Sequence, residues 1–189
     1  EAKKYGKNYW DGPRKYGYGG YRYIEGRWSS AAKKIIKTFK LNNNSKVLDV
    51  GCGKAFLLLE IKKLLPKIEL VGFDISKYGI KCAPKELKKN LFYHKAQKKY
   101  PFRSKKFDLA ISTGCFHNLE INELKFALGE IQRVSKKTFV MVESYRNDKE
   151  LFNLQCWALT CQSFFSKNEW LWIFKEFKYN RNYEFIYFD

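Results

Sequence analysis

The chain has 189 residues, 45% of them hydrophobic and 30% charged, which suits one globular domain with a full core. Its formal charge of +18 points to anionic partners, nucleic acid among them, although lysines spread along helix faces would give the same sum. No run of about 18 apolar residues occurs and no signal-peptide apolar stretch follows Glu1, so neither a membrane span nor a secretory route is expected.

Residues 1–28 form an aromatic, glycine-rich arm. Tyr5, Tyr9, Trp10, Tyr16, Tyr18, Tyr21, Tyr23 and Trp28 are interleaved with glycines, and Arg14, Arg22 and Arg27 sit among them. Glycine this dense disfavours a helix, and the tyrosines on either side of Gly19-Gly20 suggest two short extended pieces around a turn. Three readings stand for this arm. It is a lid whose rings cover a ligand, a segment that simply packs on the domain, or a binder that stacks bases on tyrosine and sets arginine on phosphate.

Ser30 is placed to cap a helix with Ala32, Ile35, Ile36 and Phe39 on one face. After Asn42-Asn43-Asn44, residues Val47, Leu48 and Val50 read as a buried strand. It ends in the turn Gly51-Cys52-Gly53 and feeds the helical run that starts at Phe56, which is the opening of a βαβ unit. The glycines let the chain turn sharply and leave no side chain between backbone and ligand, so a ligand belongs at the carboxyl end of this strand. A second strand runs from Glu69 to Asp74, and residues 76–90 read as a helix broken at Pro84. Strands follow at 91–94, 107–112 and 138–143, with a helix at 122–135 that buries Leu124, Ala127, Leu128, Ile131 and Val134. Residues 151–165 come next, with Trp157 and Phe164 either in the core or lining an acceptor pocket. Ser166 and Glu169 form a capping box for a last helix. Residues 183–188 make a final strand, expected to be antiparallel at or near the sheet edge. The alternation predicts an α/β fold with a doubly wound, mostly parallel sheet. It forms a single domain at 29–189 behind the arm, with a helical insertion near 147–180.

The run Asp49-Val50-Gly51-Cys52-Gly53 lacks the third glycine of a dinucleotide fingerprint, because Phe56 stands in its place. It resembles the first motif of class I S-adenosylmethionine-dependent methyltransferases. Asp74, about twenty residues further on, is suited to accept hydrogen bonds from ribose hydroxyls. The strand at 107–112 and the loop from Thr113 to Leu119 resemble that family's fourth strand and the loop beside the methyl group. The resemblance covers roughly residues 45–145. It implies S-adenosylmethionine as cofactor, no metal, and a cofactor site of Asp49, Gly51, Cys52, Gly53, Asp74, Ile75, Ala96 and Thr113. Lys95 departs from the pattern: the family sets an acidic or amide residue there against the adenine amine, and a lysine cannot accept that hydrogen bond. A backbone group or Gln97 is the expected replacement.

Methyl transfer needs donor and acceptor held in line, and a base when the acceptor carries a proton. His117 is the candidate base, since its ordinary pKa suits proton transfer near neutrality, and Asn118 beside it would orient an acceptor. Glu143 and Tyr145 at the end of the fifth strand are further catalytic candidates. Arg146 would grip an anionic group on the substrate, and Tyr16, Tyr18 and Tyr21 of the arm would line its pocket. The Asn-Pro-Pro-Tyr loop of amino-methylating enzymes on adenine and glutamine is absent, as is the proline–cysteine nucleophile pair of cytosine C5 enzymes. Cys115 and Cys161 read as small apolar side chains rather than nucleophiles. The five cysteines form no C-x-x-C and suit reduced thiols, so a cytoplasmic location is expected. The expected function is methyl transfer to a small-molecule or sugar-like acceptor. The alternatives are an RNA methyltransferase and a catalytically silent cofactor- or partner-binding module.

Overall fold

A computed structural model describes residues 1–189. In chain order the elements are α1 (Lys7–Asp11), α2 (Ser29–Phe39), β1 (Lys46–Val50), α3 (Phe56–Leu64), β2 (Glu69–Asp74), α4 (Lys77–Lys81), β3 (Leu91–Tyr93), β4 (Phe107–Thr113), α5 (Ile121–Val134), β5 (Ser135–Glu143), α6 (Asp148–Trp157), α7 (Lys167–Glu176) and β6 (Asn182–Ile186). Short 3-10 turns add Ala2–Lys4, Arg14–Tyr16, Lys88–Asn90 and Phe116–Asn118. The strands form one sheet in the order β3-β2-β1-β4-β5-β6, and every neighbouring pair is parallel. No helix is long and apolar enough to cross a membrane.

Successive side chains of a strand point to opposite faces, and each face here has its own core. Val47, Leu109 and Ile111 pack beneath α2 and α3, against Ala32, Ile35, Leu58 and Ile61. Leu48, Val50, Ala110 and Val140 pack beneath α5 and α7, against Leu124, Leu128, Ile131, Trp170 and Phe174. Beyond the exposed Lys46, β1 is buried and apolar except at Asp49, and it sits at the centre of the sheet, where the strand order reverses. In an open α/β sheet a ligand binds in the crevice at that point, beyond the carboxyl ends of the strands.

Four expectations are corrected. The arm is not a hairpin: α1 and the turn Arg14–Tyr16 are helical, and the amides of Tyr18, Gly20 and Tyr21 donate back to the carbonyls of Tyr9 and Trp10. Helix 76–90 shortens to α4 and one 3-10 turn, because Pro84 has no amide with which to continue it. Ser30 does not cap α2; the cap position is Trp28, and the hydroxyl of Ser29 bonds to Glu60 instead. Strand β6 is parallel to β5, with Phe139 opposite Asn182 and Glu143 opposite Ile186, because α6 and α7 carry the chain back across the sheet before it re-enters. The capping box of Ser166 and Glu169 is formed, and it opens α7.

Candidate functional site

A cavity of about 580 Å³ lies along the carboxyl edge of the sheet, within the range of small-molecule sites. At one end stand the β1 turn and the end of β2. Gly51 and Gly53 have φ of +79° and +55°; a Cβ on Gly51 would lie 2.4 Å from Cys115 Sγ, and one on Gly53 would lie 2.7 Å from Trp10 Cη2. Asp74 is buried and accepts from the amides of Gly53 (2.8 Å) and Ser76 (2.6 Å), which ties the turn to β2. Burial lifts its pKa to about 6, against the pull of those two amides. Asp49 is also buried, and its Oδ1 has no hydrogen-bond partner within the protein. Burial, then the neighbouring Asp74 charge, raises it to about 8. A buried, unpartnered carboxyl oxygen beside a glycine turn fits a ligand that brings a cation, and S-adenosylmethionine carries a sulfonium and an ammonium.

The arm covers this end. Lys54, 5% exposed, donates to both carboxylate oxygens of Asp11 (2.7 and 2.8 Å) and to the carbonyl of Tyr21 (2.7 Å). Tyr78 donates to the same carboxylate at 2.9 Å. Burial alone would raise Asp11, but these two partners outweigh it and hold its pKa below the usual range. The Trp10 indole donates to Ser76 Oγ at 2.7 Å, and that hydroxyl donates to the carbonyl of Tyr5. The rings of Tyr9, Trp10, Tyr18 and Tyr21 pack together, Tyr9 edge-on to Trp10 and Trp10 stacked on Tyr18, and Tyr21 stacks onto Phe56.

At the other end Glu143, closing β5, faces His117. His117 Nε2 lies 3.3 Å from Glu143 Oε2, and His117 Nδ1 and Glu143 Oε2 are buried without a hydrogen-bond partner within the protein. His117 is 3% exposed, and its carbonyl accepts from the amides of Gln162 and Ser163, both at 3.0 Å. Burial pushes the imidazole down to about 3 and Glu143 up to about 7. The imidazole is therefore neutral and weakly basic at pH 7, while the carboxyl is poised to exchange a proton. Sequence reasoning set the candidate base on the histidine; burial leaves the glutamate, which was also a candidate, the more basic of the two groups.

Asp49, Gly51, Cys52, Gly53, Asp74, Ile75, Ala96, Thr113, Tyr18, Tyr21, Asn118 and Glu143 all line the large cavity. Asn118 is engaged by its neighbours, accepting from Thr160 Oγ1 at 2.7 Å and donating to the carbonyl of Cys115. Tyr16, His117, Tyr145 and Arg146 do not line it. Tyr145 packs on Leu154, Ala158 and Cys161, and Arg146 is held outside by Glu150 and Asp189 with its guanidinium 4.4 Å from the Tyr187 ring. Lys95 is exposed and lies outside the lining; Gln97, Glu120 and Glu123 line that end instead, with Gln97 Nε2 donating to Glu123 Oε1 at 3.2 Å. Trp157 is 43% exposed and lines the cavity rather than the core. Tyr5 and Tyr9 of the arm, with Met141, Ile186 and Phe188, complete the wall near Glu143, and no local pattern in the sequence marks the last three.

A family model described as a methyltransferase domain matches residues 41–178. Ribosomal RNA small subunit methyltransferase C of Buchnera aphidicola is 38% identical over 96 residues, 49% of this chain and 28% of that protein. Demethylmenaquinone methyltransferase of Thermotoga maritima is 28% identical over 105 residues, 56% of this chain and 45% of that one. The chain thus spans less than half the length of these curated relatives. Among solved structures, a SAM-dependent methyltransferase from Aquifex aeolicus superposes with a TM-score of 0.58 at 22% identity, covering 82% of each chain. The YcgJ protein of Bacillus subtilis superposes with a TM-score of 0.62 at 21% identity, covering 78% of this chain and 67% of that one. Those two likenesses are of fold, whereas the family match spans most of the chain. With the G-x-G turn, the Asp49–Asp74 pair and the parallel sheet that sets them side by side, it places this chain in the methyltransferase-domain family, on the class I fold of S-adenosylmethionine-dependent methyltransferases.

Proposed function

We propose that this protein is a methyltransferase that uses S-adenosylmethionine and acts on a small-molecule or sugar-like acceptor. One observation carries the reading: a single cavity joins the Asp49–Asp74 end to Glu143, so a donor and a small acceptor fit within one enclosure. Bound S-adenosylmethionine supplies a methyl group already activated on sulfur, open to in-line displacement. The glycine turn and Asp74 would hold its amino-acid part and ribose, Asp49 would meet its cation, and Ile75, Ala96 and Thr113 would border the rest. Gln97 and Glu123 offer the acceptors that Lys95 cannot. Glu143 would take the acceptor's proton, with His117 as its neutral neighbour. Residues 1–28 act as a lid, held by Asp11 on Lys54, and their rings keep water from the reacting atoms. Five cysteines without disulfides support a reducing, cytoplasmic setting.

The test is calorimetric titration with S-adenosylmethionine, wild type against Asp74→Ala. Micromolar-range binding lost in the variant is the expected result; absence of binding by the wild type overturns the cofactor assignment. Binding without turnover on any acceptor would favour a silent module.

The ribosomal RNA relatives and the charge of +18 favour a second reading, an RNA acceptor. That reading expects RNA affinity that falls steeply with salt. Negligible affinity at physiological salt removes it. The enclosure of Glu143 by the arm, Trp157 and Phe188 favours the small acceptor.

A further inference from the structure

A second, smaller chamber opens beside Glu143. Its lining includes Glu143, His117, Arg14, Trp157, Ala158, Thr160 and the Tyr9–Tyr18 pair of the arm, and it shares Glu143, Gly114, both tyrosines and Trp157 with the large cavity. Its volume is about 30 Å³. A water needs roughly 10–15 Å³, so the chamber has room for one or two waters and too little for a substrate group. A site must also be polar to hold water, and this one is. Glu143 Oε2 and His117 Nδ1 are buried without a hydrogen-bond partner within the protein, and a buried polar atom left unpaired is costly. Arg14 forms the outer wall with its guanidinium 4.4 Å from the Trp157 ring. It donates to the carbonyl of Gly17 at 2.7 Å and has no carboxylate partner.

Resting on the methyltransferase reading, we infer that this chamber binds a water that carries a proton away from Glu143, and that the acceptor is methylated at a hydroxyl group. In that step the acceptor oxygen bonds to the methyl carbon as the carbon–sulfur bond breaks, and the electron pair of that bond stays on sulfur. The O–H bond breaks as well; its proton passes to the Glu143 carboxylate, then to the chamber water, and leaves past Arg14. An acceptor atom without a proton, such as a thiolate or a ring nitrogen lone pair, would need neither base nor exit. An ammonium acceptor is disfavoured by the unpaired Arg14 cation on the same wall. The titratable groups that face Glu143 are His117, Tyr9, Tyr18 and Cys161, with Arg14 beyond them.

Two measurements on the full chain test this, and neither needs the acceptor. With only two histidines, His94 and His117, the imidazole signals are separable by magnetic resonance. A long-lived water is expected as a cross-peak to the His117 ring that is lost in Ala158→Val, which narrows the chamber, while binding of S-adenosylhomocysteine stays within about twofold. Infrared difference spectra of wild type against Glu143→Gln should show a protonated carboxyl that disappears as pH rises through about 7. If Ala158→Val does not fold, Thr160→Val serves, with weaker loss of the cross-peak expected. A dry chamber in an atomic-resolution crystal structure, or no water contact at His117, overturns the proton exit. A panel in which amines or thiols are methylated and hydroxyls are not overturns the acceptor class. Failure to bind S-adenosylhomocysteine at all would instead sink the methyltransferase reading, so the two failures are distinct.

Discussion

The two ends of the cavity are built differently. The proposed donor end comes chiefly from two short segments, residues 49–53 and 74–76, joined by hydrogen bonds from the Gly53 and Ser76 amides to one carboxylate. The proposed acceptor end is assembled from the arm, the loop after β4, the end of β5, Trp157 and Gln162, and Ile186 and Phe188, so that many separate stretches supply its side chains. A site made of contiguous backbone is stiff and addressed by motif. A site made of scattered side chains depends on every element that delivers them, which leaves room to change the acceptor without touching the donor.

Substitutions break or sharpen that contrast. Glu143→Gln should lower turnover by about 10²–10⁴-fold while S-adenosylmethionine affinity stays within about twofold. A matching loss of affinity would mean the two ends are not separable. Asp11→Ala leaves Lys54 buried without its carboxylate, and chemical denaturation should show a loss of about 3 kcal/mol, with the arm cut faster by protease.

The donor end should also be the pH-sensitive one for binding. Asp49, at about 8 in the folded protein, holds its proton more tightly than in the unfolded chain. Its contribution to the ligand-free fold is full below about pH 4 and is lost as pH rises through 8. A cationic ligand wants the ionised form, so affinity measured by calorimetry should rise by up to about tenfold per pH unit towards pH 8 and then level off. Gly53→Ala should cost about 1 kcal/mol or more in thermal stability, through its positive φ and the Trp10 contact. Gly129→Ala in α5, where a Cβ meets nothing within 4 Å, should instead stabilise by about 0.5–1 kcal/mol.

The contrast also explains what could be read from the chain alone. The β1 turn, Asp74 and the strand–helix alternation were legible because each is a local pattern with a direct physical cause. Lys54 was not, since nothing in its neighbourhood separates it from the other Lys and Arg residues that, with it, number 37; only the fold brings Asp11 to it. Residue type pointed to His117 as the base, but whether an imidazole or a carboxyl is the better base depends on burial, which no short motif reports. Tyr145 and Arg146 follow Glu143 directly, yet the chain turns away from the cavity after β5, and Arg146 finds Glu150 one helical turn on.

The direction of β6 reaches further than the tidiness of the sheet. Because the strand runs with its neighbours, it empties at the same edge as they do, and Ile186 and Phe188 become wall of the acceptor chamber. Run the other way, it would present Asn182 there and carry residues 187–189 to the far rim. On the proposed reading residues 186–188 would help to select the acceptor, and a purification tag fused beyond residue 189 would sit beside the cavity it was meant to leave alone.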